Sequence, residues 1–124
     1  MITDYFRDIE TKLAGSEVIV ERSIDYKEFS DDEGMARGKL LFINGYLLQF
    51  MEYICLGKAR PKYRFHLQDK DGELIFRYDN APHYEIRTFP HHKHTPEGVE
   101  PSREMGLIEV LGQIEGLILG EVSE

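Results

Sequence analysis

Met35-Ala36-Arg37-Gly38-Lys39-Leu40-Leu41-Phe42-Ile43 and Tyr46-Leu47-Leu48-Gln49-Phe50-Met51-Glu52-Tyr53-Ile54-Cys55-Leu56 are two largely apolar runs separated only by Asn44-Gly45. That dipeptide most readily supplies the positive φ of a tight type I′ turn, so the stretch reads as an antiparallel hairpin. Downstream, Arg60 to Gln68 and Glu73 to Tyr78 flank Asp69-Lys70-Asp71-Gly72, a second turn sequence between two more strands. Here Tyr63, Phe65 and Leu67 alternate with Lys62, Arg64, His66 and Gln68, which gives the sheet one apolar face and one basic, hydrogen-bonding face. If the turn pairs Gln68 with Glu73, Arg64 stands opposite Arg77 and Lys62 opposite Asp79. Like charges facing each other call for an anion between them.

Upstream, Glu17 to Phe29 also alternates, with Val18, Val20, Ile24 and Tyr26 pointing one way and Ile19, Glu21, Ser23, Asp25 and Lys27 the other. Asp31-Asp32-Glu33-Gly34 is a turn. Before it, Tyr5, Phe6, Ile9 and Leu13 recur at helical spacing from a cap at Thr3 until Gly15. After Asn80 the chain offers a short strand from Tyr84 to Thr88. From Phe89 to Pro101 three prolines predict a loop. Ser102 can cap a last helix striped by Leu107, Leu111, Ile114 and Ile118, and close packing against the sheet would explain its Gly106, Gly112 and Gly116. The expected fold is α+β: a mainly antiparallel, twisted sheet of five or six strands flanked by an N-terminal and a C-terminal helix, forming a single domain over residues 1–124.

The composition fits such a domain. A chain of 124 residues buries one core, not two ordinary ones, and its 31% charged residues make a well-solvated surface. No apolar run approaches the ~20 residues needed to cross a bilayer. Met1-Ile2-Thr3-Asp4 brings an acid early with no apolar segment after it, so a cytoplasmic location is expected, with no membrane partner. The lone Cys55, among Tyr53, Ile54 and Leu56, reads as a buried inert thiol.

The net charge of −8 argues against broad affinity for nucleic acid. Its distribution qualifies that. Residues 1–57 carry six basic and eleven acidic side chains, residues 58–94 eight and five, and residues 95–124 one and seven. The only positive segment thus holds all five histidines, four of them within Arg77-Tyr78-Asp79-Asn80-Ala81-Pro82-His83 and Phe89-Pro90-His91-His92-Lys93-His94. With an ordinary pKa of about 6.5, imidazoles can exchange protons, bind an anion or hold a metal.

Cleaving a phosphodiester without a metal needs a base for the 2′-hydroxyl, an acid for the leaving oxygen and a cation for the phosphorane. His83, His92 and His94 are the acid and base candidates, with Arg77 and Arg64 as charge stabilisers. Tyr63, Tyr78 and Tyr84 can stack on a base, Lys93 adds a cation, and each tyrosine has a core or rim position as its alternative. Arg77-x-Asp79 puts both side chains on one strand face, where they can pair with each other or orient a histidine. Asn80 reads as turn chemistry and His91, beside Pro90, as structural. A metal site built from His92-x-His94 with His83 and Asp79 is an alternative, although the spacing lacks a diagnostic zinc pattern.

At these two motifs the chain resembles the TumE-like toxin family, small prokaryotic proteins forming the toxin half of TumE/TumA toxin–antitoxin pairs. Arg77, Asp79, His83, His92 and His94 all match. The resemblance runs from about Tyr63 into the last helix and more loosely to the amino-terminal elements. It implies a type II toxin acting on RNA and neutralised by a cognate TumA-like antitoxin. Joined to the histidine chemistry, it yields a metal-independent ribonuclease with RNA as substrate and no cofactor, for which a homodimer remains open. The alternatives are a non-catalytic module that docks an antitoxin or the ribosome, and a metal-dependent phosphodiesterase.

Overall fold

A computed structural model describes residues 1–82 and 88–122. Helix α1 (Ile2–Ala14) precedes strands β1 (Ile19–Glu28), β2 (Glu33–Phe42), β3 (Leu47–Cys55), β4 (Lys62–Gln68), β5 (Leu74–Asp79), β6 (His92–Thr95) and β7 (Gly98–Pro101), and helix α2 (Leu107–Val122) follows. The strands form one antiparallel meander in sequence order. This is the expected α+β architecture, enlarged to seven strands among the described residues.

The additional strands come from the segment expected to be a loop. Pro96 falls in the β6–β7 turn, and Pro101 ends β7, the edge strand, where a missing N–H breaks no ladder inside the sheet. His92 and His94 are therefore strand residues. The short strand expected from Tyr84 lies outside the described residues, except for Thr88 in a turn.

Both helices cover one sheet face. Ile9 and Leu13 of α1 and Leu107, Val110, Leu111, Ile114 and Ile118 of α2 join Ala36, Leu40, Phe42, Leu48, Phe50, Tyr63, Phe65, Leu67, Phe76 and Tyr78 in one core. Period-two alternation sends the intervening strand residues to the opposite face, which neither helix covers. Gly38 lets β1 approach closely, since a Cβ there would lie 2.0 Å from the Ser23 carbonyl oxygen. A register shift between Ile19 and Glu21 displaces Val20 from the alternation and leaves it exposed, against expectation.

Other local expectations fail for identifiable reasons. The central hairpin turns through Ile43-Asn44-Gly45 rather than a two-residue type I′ loop: Phe42 N–H donates to the Tyr46 carbonyl, Gly45 N–H donates to the Phe42 carbonyl, and only Gly45 takes a positive φ, of 89°. Thr3 lies inside α1, with Met1 at its N-cap. Ser102 does not cap α2, which begins five residues later with Leu107 N–H donating to the buried Glu52 carboxylate at 3.1 Å. Of the glycines, Gly106 is crowded by the Arg60 side chain, but a Cβ on Gly112 or Gly116 would meet nothing within 4 Å. Cys55 is half-buried, 3.8 Å from the Glu33 carboxylate.

The β4–β5 register also differs. Arg64 faces Asp79 and His66 faces Arg77, so the two arginines are not opposite each other. Asp69 N–H donates to the Glu73 carbonyl, which moves the turn by one residue, and a bulge between Leu67 and Gln68 adds a second. Either slip alone would turn Arg77 and Asp79 to the other face; together they keep the face and change the neighbours.

Candidate functional site

On the uncovered face the register creates two adjacent rows. Arg64, Asp79 and His92 are successive cross-strand partners in one, and His66, Arg77 and His94 in the other. The alternation of β4, β5 and β6 thus gathers residues distant in sequence around Asp79. These residues, His66 excepted, line a cleft of about 270 Å³ together with Lys62, Tyr63, Asn80 and Ala81.

Asp79 is its hub, only 7% exposed. Its Oδ1 accepts the Ala81 N–H at 3.0 Å and lies 2.7 Å from His92 Nε2. Its Oδ2 lies 3.4 Å from Arg77 Nε and 3.6 Å from His94 Nε2. The expected pairing of Arg77 with Asp79 is present, and the carboxylate meets both imidazoles as well.

The two histidines differ. His92 is 1% exposed, and its Nδ1 lies 2.9 Å from the Pro90 carbonyl, an acceptor that fixes a proton on Nδ1. His94 is more open and sits edge-on to His92, with ring centroids 4.9 Å apart. Burial, then the neighbouring Arg77 cation, lowers the His94 pKa below its ordinary value, with Asp79 acting in the opposite direction. The neutral form of His94 is thereby favoured over that of a free imidazole.

Asp79, His92 and His94 are also a possible cation-binding set, with one donor atom from each lying within 4.8 Å of the others. The Pro90 carbonyl would orient His92 for metal binding through Nε2. Two ligands at ordinary zinc distances in a tetrahedral site stand roughly 3.3 Å apart, so the 2.7 Å His92–Asp79 contact would have to widen.

The remaining sequence candidates are divided. Arg64 and Lys62 border the cleft. Tyr63 and Tyr78 are core residues on the helix-covered side; the Tyr78 hydroxyl donates to Gln113 at 2.6 Å. Lys93 lies on that side too, 5.2 Å from the Tyr78 ring centroid. His91 is structural, stacked on Tyr63 with its Nδ1 2.8 Å from the Tyr63 hydroxyl. Asn80 fastens the end of β5 to β4 by accepting the Tyr63 N–H at 3.0 Å and donating to the Arg60 carbonyl at 3.2 Å. His83 and Tyr84 lie outside the described residues.

Sequence reasoning missed the Ala81 N–H and the Pro90 carbonyl, which orient the cluster through backbone atoms and leave no side-chain signal. It also missed the basic residues Arg37 and Lys39, whose alternation was hidden in a run read for its apolar positions. Among the described residues, no helix is long and apolar enough to cross a membrane.

A family model described as Toxin TumE matches residues 6–118, a span that includes every strand and the whole cleft. No curated protein and no solved structure matches the chain.

Proposed function

The chain belongs to the TumE toxin family, and from that membership we propose a metal-independent ribonuclease toxin that is neutralised by a cognate antitoxin. The observation that supports this most directly is the convergence of Arg64, Arg77, His92 and His94 around Asp79 in one cleft. His94 takes the 2′-hydroxyl proton as that oxygen attacks phosphorus. Arg77 and Arg64 face the charge accumulating on the phosphorane. Asp79 aligns Arg77 and both imidazoles, a positioning role. The leaving 5′-oxygen receives a proton from His92 or His83.

The test is RNA cleavage by purified protein in EDTA, compared with His94→Ala. The expected loss is about 10²–10⁴-fold, with the melting temperature retained. No cleavage with or without added metal, together with undiminished toxicity of His83→Ala and His94→Ala on expression, removes the enzyme reading.

The second reading is a metal-dependent phosphodiesterase, supported by the Asp79, His92 and His94 donor set. These residues would hold a divalent cation that polarises the phosphate. EDTA would then abolish activity, and protein prepared without a histidine tag would bind metal stoichiometrically.

A further inference from the structure

The cleft occupies one end of a longer cationic surface. Beyond it, the uncovered face of β1 to β4 forms an open groove of about 700 Å³ lined by Arg37, Lys39, Gln49, Met51, Lys62 and Arg64. Lys62 and Arg64 border both groove and cleft, so the two are continuous. Cross-strand register aligns them: Arg37, Met51, Arg64, Asp79 and His92 are successive partners from β2 to β6, and Lys39, Gln49, His66, Arg77 and His94 form the neighbouring row.

Arg37, Lys39, Lys62 and Arg64 are all exposed. Among the described residues none of the four lies within ion-pair distance of an acid, although Asp25 faces Arg37 across β1 and β2. Together these four give one sheet face a local positive charge on a chain of net charge −8. The groove also has an aromatic flank. Phe29 is 52% exposed and stacks on Tyr53, with centroids 5.6 Å apart and ring planes inclined by 26°. Tyr53 is the cross-strand neighbour of Lys62.

Resting on the ribonuclease reading, we infer that this groove binds single-stranded RNA, with the chain crossing the strands from Arg37 and Lys39 through Lys62 and Arg64 into the cleft. Its cations take phosphates flanking the scissile bond. Phe29 and Tyr53 receive an unstacked base, which a duplex does not present. Four strand spacings between β2 and β6 make the track roughly 19 Å long, room for on the order of four nucleotides.

The experiment uses His94→Ala protein as a non-cleaving background and a fluorescein-labelled 12-nucleotide single-stranded RNA as probe. Adding Arg37→Ala and Lys39→Ala should weaken binding at least tenfold at low salt. Two lost phosphate contacts should also reduce the slope of log affinity against log salt by about 1.4. Phe29→Ala should weaken binding about fivefold or more with the slope unchanged. In the otherwise native protein, Arg37→Ala/Lys39→Ala should cleave a pool of dinucleoside monophosphates at the parental rate, because these do not reach the groove. Unchanged 12-mer affinity and slope overturn the proposal, as does equal affinity for an RNA duplex. Loss of antitoxin binding with RNA affinity intact assigns the face to an acidic protein and overturns it too. Specific 12-mer binding without any cleavage leaves the track standing and removes the catalytic reading; cleavage independent of Arg37 and Lys39 does the reverse.

Discussion

Two buried carboxylates lie on opposite faces of the same sheet, each beside an arginine, and their partners give them different capacities. Glu52, on the helix-covered face of β3, is fully buried. Its Oε2 accepts from Arg60 Nε at 2.6 Å and from the Tyr5 hydroxyl at 2.5 Å, while Oε1 accepts the first N–H of α2 at 3.1 Å. Arg60 in turn donates to Glu104 at 2.8 Å. Burial, and then Glu52, drive the Tyr5 phenol far above its ordinary pKa, so these partners keep their protons throughout the physiological range. Asp79 instead meets two imidazoles at the wall of an open cleft. A buried charge with an arginine is thus compatible with a lock or with the proposed proton transfer; titratable partners and access to solvent are what the second would require.

The strongest way to break this contrast is Glu52→Ala. It removes one of the two carboxylates that Arg60 meets, Glu104 being the other, leaves the start of α2 without its acceptor, and should cost about 3–5 kcal/mol of stability in urea melts. Asp79→Asn should be milder, about 1–3 kcal/mol, because the amide oxygen can still accept the Ala81 N–H. It should nevertheless lower RNA cleavage about 10–100-fold by loosening Arg77 and the imidazoles. If both variants lose stability equally, Asp79 is a second lock and the contrast fails.

Acidification gives a subtler difference. His94 and His66 both have pKa values lowered in the fold, first by burial; Arg77 is the next cause for His94, and Arg64 followed by Arg77 for His66. Between each lowered value and the unfolded value of about 6.5, the unfolded chain binds more protons, so stability falls as pH drops. The melting temperature should decline below about pH 6.5, and Arg77→Ala should flatten the decline. Cleavage should fall over the same acidic limb as His94 gains a proton. A decline that ignores Arg77 would disconnect the histidines from the electrostatics of the cleft.

How legible these features were depended on the range over which their causes act. The alternation of Tyr63, Phe65 and Leu67 with Lys62, Arg64 and His66 is local, so the polar and apolar faces of β4 could be read directly. Arg77 beside Asp79 was equally local. The β6–β7 hairpin was obscured because proline counts against a strand unless its edge position is known, and edge position is a tertiary property. The Arg64–Asp79 pairing depended on a bulge, which carried no distinct sequence mark. Glu52 was hidden most deeply: an acid in the apolar run Phe50-Met51-Glu52-Tyr53 looks like an outward-facing residue until Arg60, Tyr5 and α2 surround it.

The smallest expected effect tests whether the two carboxylate systems are energetically separate. Gly112 and Gly116 lie on the exposed side of α2, where a Cβ meets no neighbour, so alanine gains helix propensity without a packing penalty. Each substitution should stabilise the protein by roughly 0.5–1 kcal/mol. Because Glu52 holds the start of the same helix, Gly112→Ala should recover that increment in the Glu52→Ala background. It should leave the cleavage rate and its pH profile unchanged, since Asp79, His92 and His94 are on the other sheet face. Additive stability with an unaltered pH profile supports two independent systems. A shifted acidic limb in Gly112→Ala would instead show that the helix-covered face communicates with the cleft through the sheet.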